Sequence, residues 1–155
     1  MRRFVIAGNW KMHKNVAETT AFIEGLLAAE PSAMVDVVIG PPFTSLPAAI
    51  MLTTASRIEV AAQNVHWESG GAFTGEISPT MVQDAGGTAA IVGHSERRQI
   101  FFETDELINK RLRGALEFGL MTILCVGETL EEREAGRTFI LLEEQLRAGL
   151  AGVAP

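Results

Sequence analysis

Residues 89–98 read Ala-Ala-Ile-Val-Gly-His-Ser-Glu-Arg-Arg, and this stretch predicts the fold better than any other in the chain. An apolar run from Ala89 to Val92 stops at Gly93, and His94 follows at once with charged residues behind it. Enzymes with parallel sheets present catalytic groups in this way, on a turn directly after a buried strand. A histidine in this place can also be a surface or core residue without a chemical role, so the segment alone leaves two interpretations open.

Four other apolar runs have the length of a strand. They are rich in Val and Ile and lack alternation, which is typical of strands buried on both faces of a parallel sheet. Together with 89–92, the predicted strands are residues 4–7, 35–39, 58–62 and 121–126.

Helical patterns lie between these runs. In residues 105–119 one face carries Ile108, Leu112, Ala115 and Leu116, and Thr104 is placed to cap the first turn. Residues 138–149 show a similar pattern, with Phe139, Leu142, Leu146 and Leu150 expected to face inward. Further helices are predicted over 17–27, 47–52 and 79–85.

The alternation amounts to about five strand–helix units with a repeat of roughly 30 residues. It predicts an α/β fold in one domain over residues 1–155, with a parallel sheet covered by helices. The pattern does not separate a barrel from an open doubly wound sheet.

Composition narrows the classes of function. The formal net charge of −6 disfavours a non-specific binder of nucleic acid or of an acidic membrane. The single cysteine, Cys125, lies in an apolar run and is expected in the core, and no stretch is long enough to span a bilayer. We therefore expect a soluble cytoplasmic protein.

No cofactor or metal site is predicted. The three histidines, His13, His66 and His94, are far apart and lack the spacing of paired metal ligands. The glycine patterns of nucleotide-binding loops are missing as well.

Residues 63–78 form a long connection with little periodicity, and they include Trp67 and Phe73. A loop of this length is usually functional, and exposed aromatic rings suggest contact with a partner protein. In the alternative, both rings fold back onto their own core.

Polar residues follow the first predicted strand as His94 follows the fourth. Asn9 and Lys11 close the first strand, and the carboxyl ends of parallel strands meet at one edge of the sheet. Lys11 would supply positive charge to an anionic substrate, while Asn9 and His94 would donate hydrogen bonds to a polarised oxygen. Glu96 is close enough in sequence to pair with Lys11, which in the alternative is a solvated lysine.

Five short blocks, spread along the whole chain in order, resemble the triosephosphate isomerase family. They are Gly8-Asn9-Trp10-Lys11-Met12, Ala62-Gln63-Asn64, Gly75-Glu76-Ile77-Ser78, Val92-Gly93-His94-Ser95-Glu96-Arg97-Arg98 and Cys125-Val126-Gly127-Glu128-Thr129. The resemblance implies a (β/α)8 TIM barrel, here incomplete, since about five of the eight units are present. It also implies interconversion of dihydroxyacetone phosphate and glyceraldehyde 3-phosphate in glycolysis and gluconeogenesis, with no cofactor or metal and usually in a homodimer.

The resemblance assigns roles to individual residues. Asn9 and Lys11 would bind substrate, His94 would be the electrophile that polarises the carbonyl, and Glu96 would hold Lys11 in place. Phe73, Thr74 and Gly75 would insert near the active site of a second subunit, with Met12 at that interface. A short helix from Ser95 would point its amides at the ring of His94 and so keep the imidazole neutral.

The general base of the family is a glutamate in a Tyr-Glu-Pro-Val-Trp-like block, which these 155 residues do not contain, since they have no tyrosine at all. We therefore expect the chain alone to be a very poor isomerase. An unclosed sheet would expose the edges of its first and fifth strands, so self-association is expected. The alternative function is a non-catalytic, self-associating half-barrel or assembly module. An aldolase is disfavoured because no lysine lies inside a predicted strand.

Overall fold

The computed structural model describes residues 3–154, so Met1, Arg2 and Pro155 of the expected domain lie outside the described residues. Within that range five parallel strands form one curled sheet in the order β1-β2-β3-β4-β5. The strands are β1 (Phe4–Asn9), β2 (Val35–Gly40), β3 (Ile58–Ala62), β4 (Ala89–Val92) and β5 (Met121–Leu124). The prediction of an incomplete barrel of about five units is confirmed.

Helices follow the strands and cover the sheet. They are α1 (Val16–Ala28), α2 (Leu46–Thr53), α3 (Pro79–Asp84), α4 (Ser95–Gln99), α5 (Asp105–Glu117), α6 (Leu130–Glu134) and α7 (Thr138–Gly149), and a 3-10 turn spans Phe43–Ser45. The sequence-based bounds of α7 agree with these, and those of α1, α2, α3 and α5 differ by at most two residues at either end. The helical patterns of the sequence do not include α4 or α6, although the family resemblance predicts a short helix from Ser95.

The fifth strand is shorter than predicted. Residues 121–126 were expected to be extended, but β5 ends at Leu124. Its partner β4 ends at Val92, opposite Leu124, so the ladder has no further residues to pair with. The half-buried Cys125 still donates its N–H to the Val92 carbonyl at 2.9 Å, and burial raises the pKa of its thiol.

The core lies around the middle strands. All four residues of β4 are buried, whereas β1 has a neighbour on one side only within residues 3–154. Its apolar side chains Phe4, Val5 and Ile6 are consequently 77, 59 and 63% exposed. β1 is therefore an uncovered apolar edge.

The helix α5 agrees with its sequence pattern at three of four positions. The Thr104 side chain accepts a hydrogen bond from the Leu107 amide and caps the helix, as predicted. Ile108, Leu112 and Ala115 are buried, but Leu116, expected on the same face, is exposed.

The predicted inward face of α7 is wrong at three of its four positions, and only Leu142 is half-buried. Phe139, Leu146 and Leu150 are exposed, and the residues that the helix buries are Gln145 and Gly149. The Gln145 side chain forms two hydrogen bonds with the backbone of Gly127, which fixes the rotation of the helix. A few apolar side chains at helical spacing fit more than one face, and here a polar contact selects the face.

The long connection from 63 to 78 contains no helix or strand, as predicted. His66 is buried, and its ring stacks on Trp67 at a centroid distance of 3.9 Å and lies at a tilt against Phe73 at 4.1 Å. The Trp67 ring is half-buried, and the Arg111 guanidinium of α5 lies 5.6 Å from its centroid, so the fold-back alternative is right for this ring, while Phe73 stays 42% exposed. Arg111 of α5 holds the loop through both carboxylate oxygens of Glu76, at 2.8 and 2.9 Å.

In the described part of the chain no helix has the length and apolar character needed to cross a membrane.

The packing of Trp67 on α5 requires a glycine at position 114. A Cβ there would lie 2.6 Å from the Trp67 Cα and 2.9 Å from its carbonyl oxygen, so backbone would have to move. We predict that Gly114→Ala lowers the free energy of unfolding by about 1–3 kcal/mol, in spite of the better helix propensity of alanine. Urea denaturation followed by circular dichroism measures this.

Gly25 in α1 is the matched control, because a Cβ there meets nothing within 4 Å. Gly25→Ala should leave stability unchanged or raise it by up to about 1 kcal/mol. Equal effects of the two substitutions would contradict the assigned packing.

Candidate functional site

A pocket of about 280 Å³ opens at the carboxyl edge of the sheet. Its walls come from the segments that follow β1, β3 and β4, together with two phenylalanines. The lining residues are Asn9, Lys11, Met12, Phe43, Gln63, Asn64, His94, Glu96, Arg97 and Phe101. A cavity of equal volume lies at the opposite ends of β2 and β3, near Val35 and Ile58, and is lined mainly by apolar residues without a comparable group of polar side chains.

Lys11 lies at the end of β1 in an uncommon conformation. Its φ of 53° is in the left-handed region, and its N–H donates to the Asn9 side-chain oxygen at 2.9 Å. Its ammonium nitrogen lies 2.7 Å from Glu96 Oε1. The hydrogen bond from Lys11, with a contribution from the nearby His94, lowers the pKa of Glu96 below its usual range, although partial burial opposes this.

Gly93 allows the chain to turn sharply between β4 and His94. Its φ is 73°, and a Cβ would lie 2.9 Å from the Cys125 carbonyl oxygen. Arg98 fastens the turn, because its guanidinium donates to the carbonyl oxygens of Gly93 and Cys125 and binds Asp105 at 2.6 Å. The turn therefore directs His94 into the pocket.

His94 is the N-cap residue of α4, and its side chain is 19% exposed. Its Nδ1 accepts the Glu96 N–H at 3.3 Å and also lies 3.2 Å from Glu96 Oε2. The first contact requires a bare Nδ1, and the second would be an ion pair only if Nδ1 carried a proton. We assign the bare nitrogen from the first contact, because an Nδ1 that accepts the backbone N–H at the start of α4 cannot carry a proton itself. The proton of the neutral ring then sits on Nε2.

Sequence reasoning assigned no role to several residues of this pocket. Gln63 and Asn64 follow β3 directly, so the strand-end argument used for Asn9 and His94 would have found them. Arg97 forms part of the wall and is held by Glu103 at 2.7 Å. Glu103 also lies 3.1 Å from Arg111, and this contact extends the charge network toward the long loop.

The residues that the family resemblance assigns to an interface lie at two exposed places. Met12 is at the rim of the pocket and is 94% exposed. Phe73, Thr74 and Gly75 form an exposed turn of the long loop and do not line the pocket. Among the described residues no group of three or more His, Cys, Asp or Glu side chains is arranged to hold a metal ion.

Comparisons with known proteins agree on one family. A family model described as triosephosphate isomerase matches residues 4–155. Triosephosphate isomerase of Alkaliphilus metalliredigens is 52% identical over 155 residues, which are 100% of this chain and 62% of that protein. The enzymes named triosephosphate isomerase from Syntrophotalea carbinolica and Dictyoglomus thermophilum are 54% and 49% identical over 99% of this chain and 61% and 62% of their own length. The chain thus spans about three fifths of the length of these curated relatives.

Proposed function

This chain belongs to the triosephosphate isomerase family, and we propose that it supplies the electrophile and the substrate lysine for interconversion of dihydroxyacetone phosphate and glyceraldehyde 3-phosphate. One observation supports this above the others, which is that Asn9, Lys11 and His94 line a single pocket. An amide, an ammonium and a neutral imidazole are suited to an anionic substrate whose carbonyl oxygen gains charge during the reaction.

Each group has a defined part in the proposed mechanism. The ammonium of Lys11 offsets negative charge on the phosphate and on the enediolate that forms when a proton leaves the substrate carbon. The Nε2–H of His94 donates to the substrate oxygen on which charge develops, and the Asn9 amide adds a second polar contact. Glu96 acts through Lys11, whose ammonium it holds 2.7 Å from its carboxylate. No cofactor takes part in this proposal.

Proton abstraction needs a base within hydrogen-bond reach of the substrate carbon. Glu96 is unsuited to this, because it is engaged with Lys11 and its lowered pKa makes it a weak base. We therefore propose that turnover requires a general base that these 155 residues do not supply. The chain alone then isomerises triose phosphates very poorly.

A chimaera tests this proposal in a covalently complete enzyme. The first 62% of the Alkaliphilus metalliredigens relative, the share that this chain matches, would be replaced by residues 1–155 of this chain. We predict isomerase activity for the chimaera in a coupled assay and near-background activity for the chain alone. His94→Gln should lower kcat of the chimaera by about 100-fold or more, since one preorganised donor to the developing charge is misplaced.

His13 provides the matched control, since it is exposed and does not line the pocket. His13→Gln should leave kcat unchanged. A chimaera that folds cooperatively without isomerase activity would contradict the proposed function and favour the assembly-module alternative. Native-like turnover by the chain alone would contradict the requirement for further residues.

We also propose a cytoplasmic protein that self-associates as a homodimer. The exposed apolar edge of β1 supports association, because unpaired strand edges with apolar side chains favour pairing with another chain. Met12 and the turn at 73–75 are the further proposed contact residues.

Light scattering on the isolated chain tests association. We predict a molar mass above that of one chain, lowered by Ile6→Lys on β1. Met51→Lys on α2 is the control, because Met51 is similarly exposed at 72% but lies on a helix, away from the strand edge. A single-chain mass at every concentration would overturn the proposal.

A further inference from the structure

The backbone of Lys11 occupies a conformation that a residue with a side chain rarely adopts. Its φ is 53°, in the left-handed region, which is unfavourable for a residue with a Cβ atom. Such strain persists only where the surrounding structure fixes it. The hydrogen bond from the Lys11 N–H to the Asn9 side chain fixes the amide group of this residue. We expect a second hydrogen bond to fix its carbonyl group.

Gln63 supplies that partner from another strand. Its Nε2 donates one hydrogen bond to the Lys11 carbonyl at 2.7 Å and a second to the Gly40 carbonyl at 2.8 Å. A primary amide has two N–H donors, so both are used. The Gly40 carbonyl also accepts the N–H of Trp10 at 2.9 Å. One side chain thus joins the carboxyl end of β2 to the segments that follow β1 and β3.

From this geometry we propose that Gln63 is a positioning residue, which holds Lys11 in the left-handed conformation from which its ammonium reaches Glu96 and the pocket. The inference rests on the proposed function only for its consequence in catalysis. The contact itself is a property of the chain.

The chemistry of position 63 explains why an amide of this length is needed. Glutamate would have the same length but no N–H, and its charge would face two carbonyl oxygens. Methionine has a similar volume and no donor, so Gln63→Met removes both hydrogen bonds with little change in packing. Without them the Lys11 backbone should relax to negative φ and withdraw its ammonium from Glu96.

Nuclear magnetic resonance measures both effects without catalysis. A positive φ brings the amide proton close to its own Hα, so Lys11 should give a strong intraresidue Overhauser effect in the wild-type chain and a weak one in Gln63→Met. The titration midpoint of the Glu96 carboxyl reports whether the Lys11 ammonium is close to it. Because Lys11 lowers the pKa of Glu96, withdrawal of Lys11 should move its titration midpoint upward. The stability that this pair contributes is present above the ordinary carboxylate range and is lost as pH falls through the lowered pKa.

Two variants set the scale of the experiment. Lys11→Met marks the Glu96 midpoint with no ammonium present, and we expect Gln63→Met to shift the midpoint most of the way to it. Gln99→Met, on the exposed surface of α4, should change neither signal. A folded Gln63→Met chain with the wild-type Overhauser effect and Glu96 midpoint would overturn the proposal.

A measurement on the wild-type chain keeps the proposal testable if Gln63→Met does not fold. The side-chain amide protons of Gln63 should exchange with solvent much more slowly than those of Gln99. Equal exchange rates would overturn the proposal.

Activity in the chimaera adds the catalytic consequence. Gln63→Met should lower kcat/KM by about tenfold or more, since a displaced ammonium costs both substrate binding and transition-state stabilisation. An inactive parent chimaera would count against the proposed function alone, because the resonance measurements do not depend on turnover. An active Gln63→Met chimaera with parental kcat and KM would count against the role of Gln63.

Discussion

Parallel pairing of consecutive strands is the constraint on which the site depends. Because β1 to β4 run in the same direction and in chain order, the residues at and just after their carboxyl ends arrive at one edge of the sheet. Asn9, Gln63 and His94 are far apart in sequence, yet they share one pocket for this reason. A change of direction in any one strand would send its terminal residue to the opposite edge and dismantle the arrangement.

Much of this could be predicted from sequence, because it follows from local patterns. The strand limits at 58–62 and 89–92 agree with the structure, Thr104 caps α5, and the strand-end argument brings Asn9, Lys11 and His94 together. The buried face of α7 and the contacts of Gln63 could not be predicted in this way. They depend on side-chain hydrogen bonds to backbone groups 18 and 52 residues away, which no local periodicity records.

The conformations of Lys11 and His94 are linked through one carboxylate. Glu96 contacts the ammonium of Lys11 with one oxygen and approaches the ring of His94 with the other, while its own N–H faces Nδ1. The proposed function would give these contacts a chemical role, while Gln63 and Arg98 form hydrogen bonds to the backbone carbonyls of Lys11 and Gly93. Hydrogen bonds and one ion pair within the chain thus hold these side chains in place, as the proposed function requires.

The proposed mechanism depends most directly on a His94 ring whose proton lies on Nε2, as the hydrogen bond from the Glu96 N–H to Nδ1 requires. A long-range correlation between the carbon-bound protons and the two nitrogens of the His94 ring, recorded on the isolated chain at neutral pH, tests it most directly. We predict one nitrogen shift typical of a bare Nδ1 and one typical of a protonated Nε2. A protonated Nδ1, as the neutral tautomer or as imidazolium paired with Glu96, would contradict the account.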